Sequence, residues 1–169
     1  ASILDRLTKN AVRMQIPIGE EEKHEGVVDL LSMRACYFEG NMGNTLRWEE
    51  IPENLKADAV KYRAELIEKI VSEDEALMSD YLEGKEPSME QLKATLRKAV
   101  IANNIVPVFT GSALKNKGVQ LVLDAVVDYL PSPLDIPPTK GIDPNNGEET
   151  IRAASDTDPF SALAFKIQT

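Results

Sequence analysis

The chain has 169 residues, 43% hydrophobic and 28% charged, with a net charge of −9 at pH 7. This balance excludes a disordered chain, and no apolar run approaches the roughly 20 residues that cross a bilayer. Residues 49–90 hold thirteen acidic against five basic side chains, a local balance of −8; this argues against direct nonspecific nucleic-acid binding, which needs a basic footprint.

In chain order, Ala1-Ser2-Ile3-Leu4-Asp5-Arg6 lacks a basic-then-apolar signal pattern and starts without Met, so it reads as a chain entered midway. Ile3, Leu4 and Leu7 predict the tail of a helix, and the alternation Val12, Met14, Ile16, Ile18 predicts a strand that Pro17 confines to an edge. After a charged turn at residues 19–23, residues 26–31 and 34–38 read as strands. The glycines and asparagines of residues 39–44 predict a hairpin turn, with Leu46-Arg47-Trp48 returning. Leu55, Ala59, Tyr62, Leu66 and Ile70, widened by Val60, Ile67 and Val71, predict an amphipathic helix, with Asp58, Lys61, Glu65, Glu68 and Ser72 on its opposite face.

Ser72-Glu73-Asp74-Glu75 has the form of a capping box and predicts a second helix from Ser72, carrying Leu77, Met78, Tyr81 and Leu82 and closed by Gly84. Ser88-Met89-Glu90-Gln91 repeats the form and predicts a third, with Met89, Leu92, Leu96 and Ala99 buried. Residues 105–110 are of strand length. Residues 119–130 are apolar on most faces and predict a largely buried helix, stopped by Pro131-Ser132-Pro133. Residues 143–150 form a polar turn region, and residues 162–167, with Leu163, Phe165 and Ile167 alternating, predict a strand.

No catalytic or metal-binding constellation stands out. His24 is the only histidine, no Cys/His cluster has metal-ligand spacing, and no Gly-x-x-x-x-Gly-Lys-Ser/Thr loop cradles phosphate. The single thiol, Cys36, has no internal disulfide partner and fits a reducing cytosol. The segment Gly111-Ser112-Ala113-Leu114-Lys115-Asn116-Lys117-Gly118 lies between a strand and a helix, where α/β folds bind ligands. Its small residues let the backbone approach a flat base and offer N–H donors to a carbonyl; on spacing alone, a plain turn with a basic tip serves as well.

The wording of Val108-Phe109-Thr110-Gly111-Ser112-Ala113-Leu114-Lys115-Asn116-Lys117-Gly118-Val119-Gln120, followed by Tyr129-Leu130-Pro131-Ser132-Pro133-Leu134-Asp135, closely resembles the bacterial elongation factor G family. Residues 12–19, Glu25-Gly26-Val27-Val28-Asp29-Leu30, Glu83-Gly84 and Asp158-Pro159-Phe160-Ser161-Ala162-Leu163-Ala164-Phe165-Lys166-Ile167 extend the likeness over essentially the whole chain. His24 stands where the family suggests an aromatic such as Phe.

The resemblance implies an α/β fold with an α+β insert. Residues 1–25 and 99–133 become the edge of a P-loop-type GTPase sheet, residues 26–98 a mixed inserted subdomain, and residues 134–169 a linker and the first strand of a β-barrel domain. It implies a cytoplasmic, ribosome-binding translocation GTPase whose intact form uses GTP or GDP with Mg. This piece would be monomeric and inactive by itself, with no nucleotide bound to it and no catalytic or metal residue of its own. Ser112, Ala113 and Leu114 match the motif that meets the guanine base. Glu65, Glu68, Ser72 and Glu75 match an acidic face that meets the basic C-terminal domain of the ribosomal stalk protein, with Ser72 standing where an acid is expected. A different class, a free-standing acidic adaptor domain without nucleotide binding, accounts for the acidic helices equally well.

Overall fold

In the computed structural model, which describes residues 2–162 and 165–166, a short helix α1 (Ser2–Arg6) leads into the predicted apolar alternation. That alternation builds two strands, β1 (Ala11–Arg13) and β2 (Gln15–Ile18), which belong to different sheets. Met14 is the joint. Its N–H donates to the Val108 carbonyl and its carbonyl accepts from the Leu30 N–H, each at 3.0 Å. The chain thus satisfies one sheet with a donor and the next with an acceptor.

β2 is the edge of a four-stranded antiparallel sheet in the order β2, β3 (Gly26–Asp29), β4 (Arg34–Glu39), β5 (Thr45–Glu49), an edge position that Pro17 tolerates. Asp29 fixes the β3–β4 turn by accepting from the Ser32 N–H and hydroxyl, both at 2.7 Å. Val27 and Val28 are both fully buried, because this sheet is covered on two faces. Val28 joins the main core, whereas Val27, Cys36 and Phe38 form a smaller cluster against Leu46, Trp48 and Leu121.

The helix α2 (Glu53–Val71) buries Ala59, Leu66, Ile67, Ile70 and Val71, as the periodicity predicts, but Val60 is exposed. Ser72 does not cap the next helix. It is the C-terminal cap of α2, its hydroxyl donating to the Lys69 carbonyl at 2.8 Å. The N-cap of α3 (Glu75–Leu82) is Asp74, whose carboxylate accepts from the N–H groups of Ala76 and Leu77. The first helix must close before a cap for the second can form, so the predicted start is displaced from Ser72 to Asp74. Gly84, left-handed at φ 83°, closes α3: its N–H reaches the Tyr81 carbonyl and that of Lys85 reaches Asp80.

Ser88 and Gln91 make both halves of the predicted capping box on α4 (Met89–Ile101), which buries Leu92, Thr95, Leu96 and Ala99 while Met89 stays exposed. β6 (Val106–Val108) then pairs parallel with β1 and is shorter than the predicted strand.

The helix α5 (Val119–Tyr129) departs most from expectation. Only Tyr129 is buried, and Val122, Leu123, Val126 and Val127 are exposed, Val127 to 78%. Leu121, Ala125 and Tyr129 meet the neighbouring clusters. The apolar side formed by Val122, Leu123, Val126 and Val127 is left to solvent among the described residues. β2 hydrogen-bonds to β3, and one core joins Val12, Met14 and Ile105 to Leu30, Leu66 and Leu96.

The chain divides at Leu130–Pro131 into two compact units. In the second, β7 (Thr139–Ile142) and β8 (Glu149–Arg152) form an antiparallel hairpin around the predicted polar turn, strands that the sequence reading missed because they are short and mostly exposed. Of the strand predicted over residues 162–167, Leu163, Ala164 and Ile167 lie outside the described residues.

Candidate functional site

The loop of residues 111–118 leaves the carboxyl end of β6 and enters α5, the place that strand–helix connections use for ligands. It is closed on itself: Ser112 and Lys117 exchange N–H···O bonds at 2.9 and 3.0 Å, and the Asn116 N–H returns to the Ala113 carbonyl at 3.1 Å. Gly111 is required here, since a Cβ would sit 2.6 Å from the Lys117 carbonyl oxygen. Gly118, left-handed at φ 82°, turns the chain into the helix.

The three loop residues are not equivalent. The Ser112 N–H is spent on Lys117, so of the predicted trio only Ala113 and Leu114 keep backbone N–H groups with no acceptor among the described residues. Leu114 is 88% exposed, which leaves its backbone open to an incoming flat group. A cleft of about 440 Å³ beside the loop is lined by Pro17, Gly19, Glu20, His24, Thr110 and Ser112, among others. His24 Nε2 and Thr110 Oγ1 are buried there without a hydrogen-bond partner. Burial, and then the charge of Lys117, hold the imidazole below its ordinary pKa, against a hydrogen bond to the Gly19 backbone that raises it.

Glu65, Glu68, Ser72 and Glu75 are all exposed. Glu65, Glu68 and Ser72 line one cleft of about 550 Å³ between α2 and β1; Glu75, in the first turn of α3, does not line it. None of the three glutamates forms an ion pair or side-chain hydrogen bond among the described residues. The face is not uniformly acidic. Lys9, Arg13 and Lys69 line the same cleft, and Arg13 lies over the Tyr62 ring at 3.7 Å. Lys9 and Arg13 come from a segment remote in sequence, so the helical periodicity of α2 carried no sign of them.

Among the described residues, no group of three or more His, Cys, Asp or Glu is placed to hold a metal ion, and no helix is long and apolar enough to cross a membrane.

No family profile matches the chain. Among solved structures it is similar to one described as the crystal structure of ttk003000868 from Thermus thermophilus, with a TM-score of 0.69 and 26% sequence identity. The match covers 89% of this chain and 24% of that one, so the chain spans about a quarter of that protein's length.

Proposed function

We propose that this chain is part of a ribosomal translocation GTPase of the elongation factor G type. In this reading, residues 111–118 contribute the base-contacting loop and α2 contributes a docking face for the ribosomal stalk. The observation that carries the reading is the pair of unspent N–H groups at Ala113 and Leu114, held by a closed loop at the end of a parallel strand. Donors so fixed suit a guanine carbonyl oxygen, because they need no reorganisation to meet it. The residues present fit the base alone. No described segment has the form of a phosphate cradle or a magnesium site, and phosphate and magnesium supply most of the positioning in such enzymes.

The exposed apolar side of α5 favours this reading over a free-standing adaptor. Val122, Leu123, Val126 and Val127 form an uncovered patch, and a two-stranded parallel sheet such as β1–β6 is ordinarily covered on both faces within a larger sheet. Both features suit a piece that packs against further protein.

The docking half is tested with the chain itself. Each exposed charge pair is worth about 0.2–1 kcal/mol, so the face acts on encounter more than on residence. Lys9, Arg13 and Lys69 beside the glutamates blunt the field. Glu65→Lys with Glu68→Lys is therefore expected to slow association with the basic stalk C-terminal domain several-fold at low salt. The difference should vanish once the Debye length falls to about 3 Å near 1 M salt. Equal rates for the two proteins at low salt would reduce the face to solvated surface.

A further inference from the structure

The base-contacting loop is buttressed from outside. Its residues Asn116 and Lys117 and the first turn of α5 reach across to two distant turns of the chain. Asn116 Nδ2 donates to the Met42 carbonyl at 3.0 Å, and Gln120 Nε2 donates to the Gly43 carbonyl at 3.1 Å. Lys117 Nζ donates to the His24 carbonyl. Met42 and Gly43 belong to the tight turn between β4 and β5, at sequence separations of 74 and 77 from their partners.

The approach is close enough to restrict which residues can make it. Gly43 is buried, and a Cβ there would lie 3.2 Å from both the Asn116 carbonyl oxygen and Lys117 Cγ. A Cβ on Gly118 would meet Phe38 of β4 at 3.4 Å. Two non-glycine residues on the facing sides of this contact, Met42 at φ 57° and Asn116 at φ 50°, hold left-handed backbone. Strain of this kind persists where surrounding contacts over-determine a conformation, and it gathers at functional sites. Each turn holds the other.

We propose that the β4–β5 turn is a strut that sets the position of the 111–118 loop, with Asn116, Lys117 and Gln120 as positioning residues. Its consequence for nucleotide rests on the guanine reading above. The strut ties the end of β6 to the segment that also carries α2. A force or a partner acting on the β4–β5 hairpin therefore alters how firmly the Ala113 and Leu114 donors are held.

The test is residue-resolved amide exchange by NMR on the 169-residue chain. The readouts are the mutually bonded amides of Ser112 and Lys117, with the β3 and β4 amides reporting that the fold is intact. In the double variant Asn116→Ala with Gln120→Ala, the two loop amides are expected to exchange at least ~10-fold faster while the sheet is unchanged. Gly43→Ala, which alters only the hairpin side, is expected to do the same. Lys117→Met should loosen the Ser112 amide, and Lys117→Arg, which keeps a donor, should restore it. Loop exchange within about two-fold of wild type in both the double variant and Gly43→Ala overturns the strut. GDP titration of the longer protein carrying the double substitution separates the two readings. A roughly ten-fold weaker affinity supports both, whereas a loosened loop with unchanged GDP affinity supports the strut and overturns the guanine assignment.

Discussion

Replacing Asp74 by alanine should destabilise the chain, whereas replacing Ser72 should hardly matter, although the sequence pattern points to Ser72 as the cap. One Asp74 oxygen accepts from Ala76 N–H at 3.1 Å and from Leu77 N–H at 3.0 Å. The carboxylate also lies at the positive end of α3. Losing an N-cap costs about 1 kcal/mol, with a range of roughly 0.5–2, and a negative charge in the first turn adds about 0.3–1. The Leu77 bond is partly buried, in a residue only 6% exposed, so water replaces it poorly and the upper half of the range applies. Asp74→Ala should therefore cost about 1–2 kcal/mol. In urea, with a slope of about 2 kcal/mol per molar, the midpoint falls by roughly 0.5–1 M. Ser72→Ala removes one exposed bond to the Lys69 carbonyl at a C-terminus and should cost at most a few tenths of a kcal/mol. Circular dichroism at about 222 nm across a urea series reads both. Equal midpoint shifts for the two variants would refute the placement of the cap.

Further outcomes follow from the core and from the two perturbed groups. Leu96→Ala empties a fully buried site and should cost about 2–5 kcal/mol, measured as a drop in thermal midpoint; a loss below about 1 would mean that the α4 face is not core. The Cys36 thiol is buried and, with Asp29 nearby, pushed up to about 11, so it stays neutral at about pH 8. It should resist a thiol-reactive dye in the folded chain and react at once in denaturant, and fast labelling of folded protein would contradict its burial. His24 has a lowered folded-state pKa, so the unfolded chain takes up the proton first as acidity rises. Its contribution therefore makes stability fall as pH drops through about 6.5 towards the lowered value. His24→Phe should remove that slope and stabilise the chain by about 1 kcal/mol by eliminating the unpartnered Nε2 beside Phe38. An unchanged pH profile would show that the imidazole is already solvated.

Much of the local structure was legible because local interactions decide it. The 3.6-residue spacing of Leu66, Ile70, Leu92, Leu96 and Ala99 fixes the buried stripes of α2 and α4. Ser88 with Gln91, Gly84, and the glycines around residues 39–44 mark ends and turns through bonds made within a few residues. The Gly111-Ser112-Ala113-Leu114 loop was visible too, because its small residues and flanking strand and helix lie contiguously in the sequence.

What the tertiary structure decided was whether an apolar face found a cover, and which distant segments met. An apolar α5 carried no sign that Val127 would be exposed and Tyr129 buried, since periodicity reports apolar faces but not whether a partner covers them. The split of one alternation into β1 and β2 depends on Met14 meeting Val108 and Leu30 from opposite sides. The acidic face of α2 acquired Lys9 and Arg13 across the cleft, and the loop acquired a buttress from residues 42 and 43. These contacts join residues tens of positions apart, and a pattern read along the chain contains no term for them until the fold has closed the distance.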